Sequence, residues 1–315
     1  MRRKPVWAAL AAVCCASLLA AGQRAGADGP AAAEGRGEVR SVTIPVTFRV
    51  KEKTEAEIQY LDGLAVFEDG ERQEILTTRG GPRSPLTLAV LIQDDLVSSV
   101  ANEIEGLRTF IRRLPPGSRV MVGYIRAGSL QVRQKFTPDL ERAARSLRIP
   151  LGTAAGAPFN PFAQTRDAVK RFESQPVGRR AVLLVSDGID LSRGVEGSTP
   201  GSSVDLQRAI NEAQRNAVAI YSLYAPTGYG QVPTFVGNGQ GALDRLSNET
   251  GGYFFAQGTG APLSFDRFLS EVNQMLSRQF ALTYLSTHPE KGFHRLRVVA
   301  EVSGGKLHHP TGYTR

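Results

Sequence analysis

Residues 86–92 read LTLAVLI, apolar or nearly so at every position, and residues 181–186 repeat the pattern as AVLLVS. A half-buried strand alternates apolar with polar residues. A run without alternation belongs instead to a strand covered on both faces, as in a parallel sheet held between layers of helices. Helices should therefore intervene. Val100, Ile104, Leu107, Phe110, Ile111 and Leu114 recur at helical spacing until Pro115-Pro116-Gly117 stops the run. The same reading predicts strands at 119–125 and 218–224, and helices at 140–147, 166–172, 206–216, 242–250 and 265–276. Such alternation implies an α/β fold: an open, doubly wound, mostly parallel sheet with helices on both faces. Residues 130–136 follow the strand 119–125 too closely for a crossover, which predicts an antiparallel edge strand.

The flanks differ from this core. Residues 39–50, 64–68 and 72–76 on one side, and 280–285 and 296–302 on the other, have extended character. They are expected to pair with each other as a small accessory β-sheet. Ahead of them, Arg2, Arg3 and Lys4 precede an uncharged run from Pro5 to Gly22, followed by Ala25-Gly26-Ala27, a small-x-small pattern. That predicts a signal peptide over 1–27 and an exported, periplasmic or secreted product. The expected division is then a disordered lead-in (28–38), an N-terminal β-rich segment (39–84), the α/β domain (85–278) and a C-terminal β segment (279–315).

Both cysteines, Cys14 and Cys15, fall in that leader, so a mature chain has no thiol for a disulfide, a zinc site or a nucleophile. Removing the leader's Arg2, Arg3, Lys4 and Arg24 from 38 basic residues leaves 34 against 30 acidic ones, a net of +4. So modest a mixed charge describes a solvated surface rather than a nucleic-acid partner. No phosphate-cradling glycine motif follows a buried strand, which argues against nucleotides.

In an open α/β sheet, ligands bind beyond the carboxyl ends of the strands, near the switch in strand order. Two acidic segments lie there: Asp94-Asp95-Leu96-Val97-Ser98-Ser99 after the first buried strand, and Ser186-Asp187-Gly188-Ile189-Asp190 after the strand 181–186. Carboxylates and hydroxyls converging on one crevice suit a hard cation. The chain here resembles the von Willebrand factor type A (vWA) family, and within it a bacterial exported vWA-related group. The likeness is carried, in order, by LTLAVLI, LRTFIRRLPPGSRV, VLLVSDGID, AVAIYSLY, LDRLSNETGGYFF and Gly312-Tyr313.

The resemblance implies a metal ion-dependent adhesion site made from Asp-x-Ser-x-Ser, a Thr from a second loop and the Asp of a Ser/Thr-Asp-Gly turn. Here Asp94 takes the leading position, with Leu96 replacing the first hydroxyl and Ser98 supplying the second; Asp187 matches the turn. The alternative register starts at Asp95, with Val97 and Ser99 in the hydroxyl positions. Aligning Asp167-Ala168 puts Ala163 where the Thr belongs and leaves Thr165 two residues away. The implied site is degenerate, holding Mg²⁺ or Ca²⁺ in one reading and no metal in the other, with Asp94 and Asp187 as turn or capping residues.

Around the crevice, residues 151–161 and the glycine-bearing stretch 227–241 are expected to form a flexible rim, with Asn160, Asp190 and Tyr229 as partner-binding residues. The four histidines, His288, His294, His308 and His309, are expected at the surface. No Gly-x-Ser-x-Gly elbow marks a nucleophile. The expected function is a protein-binding module, for adhesion or assembly, with a metal-independent envelope scaffold as the alternative and a hydrolase as a third reading.

Overall fold

Each buried strand presents its side chains alternately to two helical layers. The computed structural model describes residues 40–50, 63–153, 160–194, 196–228, 232–260, 264–300 and 305–315. The leader, the lead-in and Tyr229 lie outside them. The central sheet comprises β4 (Thr87–Gln93), β5 (Arg119–Arg126), β6 (Ser129–Thr137), β7 (Arg180–Ser186), β8 (Ala219–Tyr224) and β9 (Phe254–Phe255), in the order β6-β5-β4-β7-β8-β9. All neighbours are parallel except β5 and β6, so β6 is the antiparallel edge strand the short connection demands.

Among the described residues, six α-helices cover it: α1 (Ile104–Arg112), α2 (Leu140–Arg145), α3 (Pro161–Lys170), α4 (Val204–Arg215), α5 (Pro233–Glu249) and α6 (Asp266–Ser277). Leu88, Val90 and Ile92 of β4 pack with α1, α2 and α6; Ala89 and Leu91 pack with α3, α4 and α5. Burial on both faces is thus the direct consequence of a strand without polar alternation. The chain winds outward from β4 to β6 and then returns to lay β7 on the other side of β4, with Ile92 opposite Val185. The switch in strand order falls between β4 and β7, and their C-terminal loops share one crevice.

The accessory sheet is larger than expected. It has seven antiparallel strands in the order β12-β1-β10-β3-β2-β11-β13, comprising β1 (Arg40–Val50), β2 (Ala65–Glu68), β3 (Glu71–Gly80), β10 (Gln279–Ser286), β11 (Phe293–Val299), β12 (Gly305–His308) and β13 (Gly312–Thr314). N- and C-terminal segments interleave: β1 pairs with β10 from Arg40↔Ser286 to Thr47↔Gln279. The sheet curls around its own core of Ile44, Val46, Val66, Phe280, Leu282, Tyr284, Leu296 and Val298. Short edge strands such as β13 carry too few residues for a periodic pattern, which is why the sequence understates the sheet.

Arg179 joins the two sheets. Its buried guanidinium donates to the carbonyls of Gly81, Ser84 and Leu276, and burial pulls its pKa down to about 10. A buried hydrogen bond of 3.0 Å between Thr47 Oγ1 and Tyr221 OH adds a second tie.

One expectation fails in an informative way. Residues 233–241, read as part of a flexible rim, form the first half of α5. Their glycines permit close packing rather than mobility: a Cβ on Gly239 would lie 2.1 Å from the Asp187 carbonyl oxygen, and one on Gly188, at φ +69°, would lie 2.4 Å from that of Gly239. Helix α5 therefore rests directly on the Asp187-Gly188 turn.

Candidate functional site

Strand alternation determines which side chains reach the crevice. Successive residues point to opposite sides, so Gln93 and Asp94 diverge at the end of β4. Gln93 is the one that turns toward β7. Its Oε1 accepts from Ser186 Oγ (2.5 Å) and from the Asp187 amide (3.3 Å), while its Nε2 donates to Asp95 Oδ1 (3.0 Å). Asp187 is 2 % exposed, and both its oxygens are engaged: Oδ1 by the Ile189 amide at 3.0 Å, Oδ2 by Thr227 Oγ1 at 2.7 Å. Burial raises its pKa to about 6 against those two hydrogen bonds, and the charge of Asp95 adds to the rise. Asp95 is likewise raised by burial, with repulsion from Asp94 contributing and the Gln93 hydrogen bond opposing.

Asp94, placed at the head of the metal motif by the resemblance, has a different partner. Its fully buried carboxylate receives both terminal nitrogens of Arg148, at 2.6 and 2.9 Å, and the Leu151 amide at 3.2 Å. Arg126 stands 3.7 Å away. Arg148 in turn lies over the Tyr124 ring at 4.0 Å, and Tyr124 OH donates to its carbonyl at 2.5 Å while accepting from its amide at 2.8 Å. A bidentate guanidinium supplies the charge a cation would otherwise bring.

The remaining metal candidates sit in different settings. Ser98 and Ser99 are exposed in the 3-10 turn Ser98–Glu103. Thr165, buried inside α3, donates back to the Pro161 carbonyl at 2.9 Å. Asp95 does face the crevice, but as the partner of Gln93. Among the described residues, no group of three or more His, Cys, Asp or Glu side chains is arranged to hold a metal ion. Two carboxylates already hydrogen-bonded, with a carboxamide between them, do not fit Mg²⁺, which demands near-octahedral oxygen ligation.

Two of the partner-binding candidates, Asn160 and Asp190, turn inward as well. Asn160 caps α3 through the Phe162 and Ala163 amides and donates to Asp205 at 2.5 Å. Asp190 accepts from the Ser192 amide and hydroxyl and from Ser203 Oγ, the cap of α4. Both are buried, so they set loop geometry and offer no surface to a partner. Among the described residues, exposed apolar groups at the rim are instead Ile149, Leu151 and Val232. Of the histidines, His294 is buried rather than superficial: Nδ1 lies 2.8 Å from Asp69 Oδ2, and its ring stacks on Tyr313 at 5.3 Å.

Arg148, Gln93 and Thr227 were invisible as site residues. Only Gln93 had an available signal: strict period-2 alternation through β4 places 89, 91 and 93 on one side and 88, 90, 92 and 94 on the other.

No family model matches the chain, and neither does any curated protein. Solved structures of similar fold include BatB from Bacteroides thetaiotaomicron (10 % identity, TM-score 0.43, 62 % of this chain and 98 % of that one). An aerotolerance-related membrane protein from Bacteroides fragilis is similar at 14 % identity and TM-score 0.39, over 61 % and 98 %. The SpRpn10 VWA domain follows at 11 % and 0.41, over 61 % and 98 %. At these identities and TM-scores the likeness carries no argument about function, which has to be argued from the crevice itself.

Proposed function

With a vWA-like fold as the premise, we propose that this chain is a binding module rather than an enzyme, engaging a protein partner through the crevice rim without a bridging metal ion. One observation carries the reading: Ile149 (57 % exposed) and Leu151 (45 %) follow closely after Arg148, the arginine that already neutralises Asp94. Val232 (41 %) opens α5, which follows β8 onto the same edge of the sheet. Large apolar side chains left in water beside a rigid polar crevice suit a protein interface, where burial supplies affinity and polar groups supply register. Asp187 is buried and each of its oxygens already accepts a hydrogen bond, so it is not presented to a substrate, which weighs against hydrolysis. The basic leader and its Ala-Gly-Ala end favour action outside the cytoplasm, periplasmic or secreted.

Calorimetry with Mg²⁺, Mn²⁺ and Ca²⁺ tests the metal-free part. The wild type and Asp187→Ala should both give no ion-dependent heat; a saturable heat in the wild type that Asp187→Ala abolishes restores an ion-bridged interface. Capture from the native envelope fraction tests the rim. Retained proteins should be the same with and without chelator and should be lost with Leu151→Asp. Retention unaffected by both Leu151→Asp and Ile149→Asp removes the rim from the interface.

A further inference from the structure

A second cleft lies at the opposite edge of the central sheet. Residues 177–180 lead into β7 and residues 214–217 lead toward β8, so they mark the amino ends of the parallel strands, away from the crevice. There they face β1, β3 and β10 of the accessory sheet across an open cleft of about 620 Å³. Five arginines line it, each from a different segment: Arg40 from β1, Arg79 from β3, Arg180 from β7, Arg215 from α4, and Arg315 beyond β13. Among the described residues, no Asp or Glu side chain does.

The charges are poorly compensated from within. Arg180 is buried and donates only to neutral carbonyls, those of Pro176, Gln175 and Asn216. Arg215 has a carboxylate no nearer than 3.9 Å, that of Glu212, and Arg315 donates to the His288 carbonyl. Arg40 and Arg79 are exposed. A surface usually intersperses both signs; a cleft of one sign with low-dielectric walls concentrates its field on whatever enters. Two apolar side chains, Leu76 (43 % exposed) and Val177 (64 %), stand on facing walls.

We propose that this cleft binds an extended polypeptide segment carrying acidic residues interspersed with aliphatic ones. Guanidiniums drawn from five segments and spread along two walls match carboxylates spaced along a chain. A single phosphate would call for convergence of donors on one point. The apolar shoulders at Leu76 and Val177 give aliphatic side chains a place that a free anion would not use.

The test uses the full chain and a fluorescein-labelled decapeptide of alternating Glu and Val, with a Gln/Val peptide as the uncharged control. Anisotropy should show saturable binding of the acidic peptide only, weakening as salt rises. Arg40→Glu/Arg79→Glu on one wall and Arg215→Glu on the other should each weaken it about tenfold or more. Arg133→Glu/Lys135→Glu on the exposed face of β6 reverses the same two charges as the first variant and should leave binding unchanged. Circular dichroism checks that each variant is folded. Absence of saturable binding overturns the proposal, as does equal loss in the β6 variant. So does cleft-dependent binding of phosphatidylglycerol vesicles or oligothymidylate when the peptide does not bind.

Discussion

Two glycines one turn-half apart in α5 should respond to the same substitution with opposite sign. Gly237 and Gly239 both lie within Pro233–Glu249. Alanine in a helix interior is favoured over glycine by about 0.5–1 kcal/mol, because glycine gives up more backbone freedom on folding. At Gly237 nothing lies within 4 Å of an added Cβ, so Gly237→Ala should realise that gain. At Gly239 the added Cβ would meet the Asp187 carbonyl oxygen at 2.1 Å and Ile189 Cγ1 at 3.1 Å. The oxygen belongs to backbone and cannot rotate away, so α5 must retreat by roughly 1 Å from a close-packed turn. Overpacking of this kind costs about 1–3 kcal/mol, and a 2.1 Å approach to backbone places it at about 2–3, which leaves a net loss of about 1–2 kcal/mol once the full propensity gain of about 1 kcal/mol is subtracted. With a shift of about 2–4 °C per kcal/mol for a unit near this size, Tm should fall by about 2–8 °C for Gly239→Ala and rise by about 1–4 °C for Gly237→Ala. Thermal unfolding followed by circular dichroism, with urea midpoints as a second probe, reads both. If the two variants shift in the same direction, the helix does not rest on the Asp187-Gly188 turn and the account of these glycines is wrong.

Three further outcomes follow from the charged groups. Arg148→Met strands the buried Asp94 carboxylate and should destabilise by about 3 kcal/mol in urea titration, with Asp94→Asn in the same chain recovering part of the loss; a cost near zero refutes the pair as a unit. Asp187, raised from 3.8 to about 6, binds its proton more tightly folded than unfolded, so its contribution to stability falls as pH rises between those values. Asp187→Asn should flatten that slope and be the more stable form at pH 8, by about 3 kcal/mol at most; parallel pH profiles count against a desolvated carboxyl. For His294, burial opposes the charge, but the hydrogen bonds to Asp69 and the Glu290 carbonyl and the field of Asp69 outweigh it and raise the pKa above 6.5. Its stabilisation should be complete below pH 6.5 and disappear as pH rises through the raised value; an NMR titration at or below 6.5 contradicts this.

The layered core was legible because one local property, apolarity without alternation, has one physical remedy. Runs such as 86–92 and 181–186 must be covered on both faces, and the short link to 130–136 leaves only an antiparallel edge. Helix α5 was half missed because Gly237, Gly239 and Gly241 weigh against helix by propensity, while the contact that requires Gly239 comes from another part of the chain. In the crevice, a family motif drew attention to Asp94, whereas strand pleating turns Gln93 toward β7.

What the sequence alone determined is therefore the buried strands of the core, their two-sided burial and the edge at which the loops of β4 and β7 meet. Only the tertiary structure decided what fills that crevice. Arg148 stands 54 positions from Asp94, and Thr227 stands 40 from Asp187. Hydrophobic periodicity is a property of neighbours along the chain; the pairing of a buried charge depends on which distant side chain folding delivers beside it.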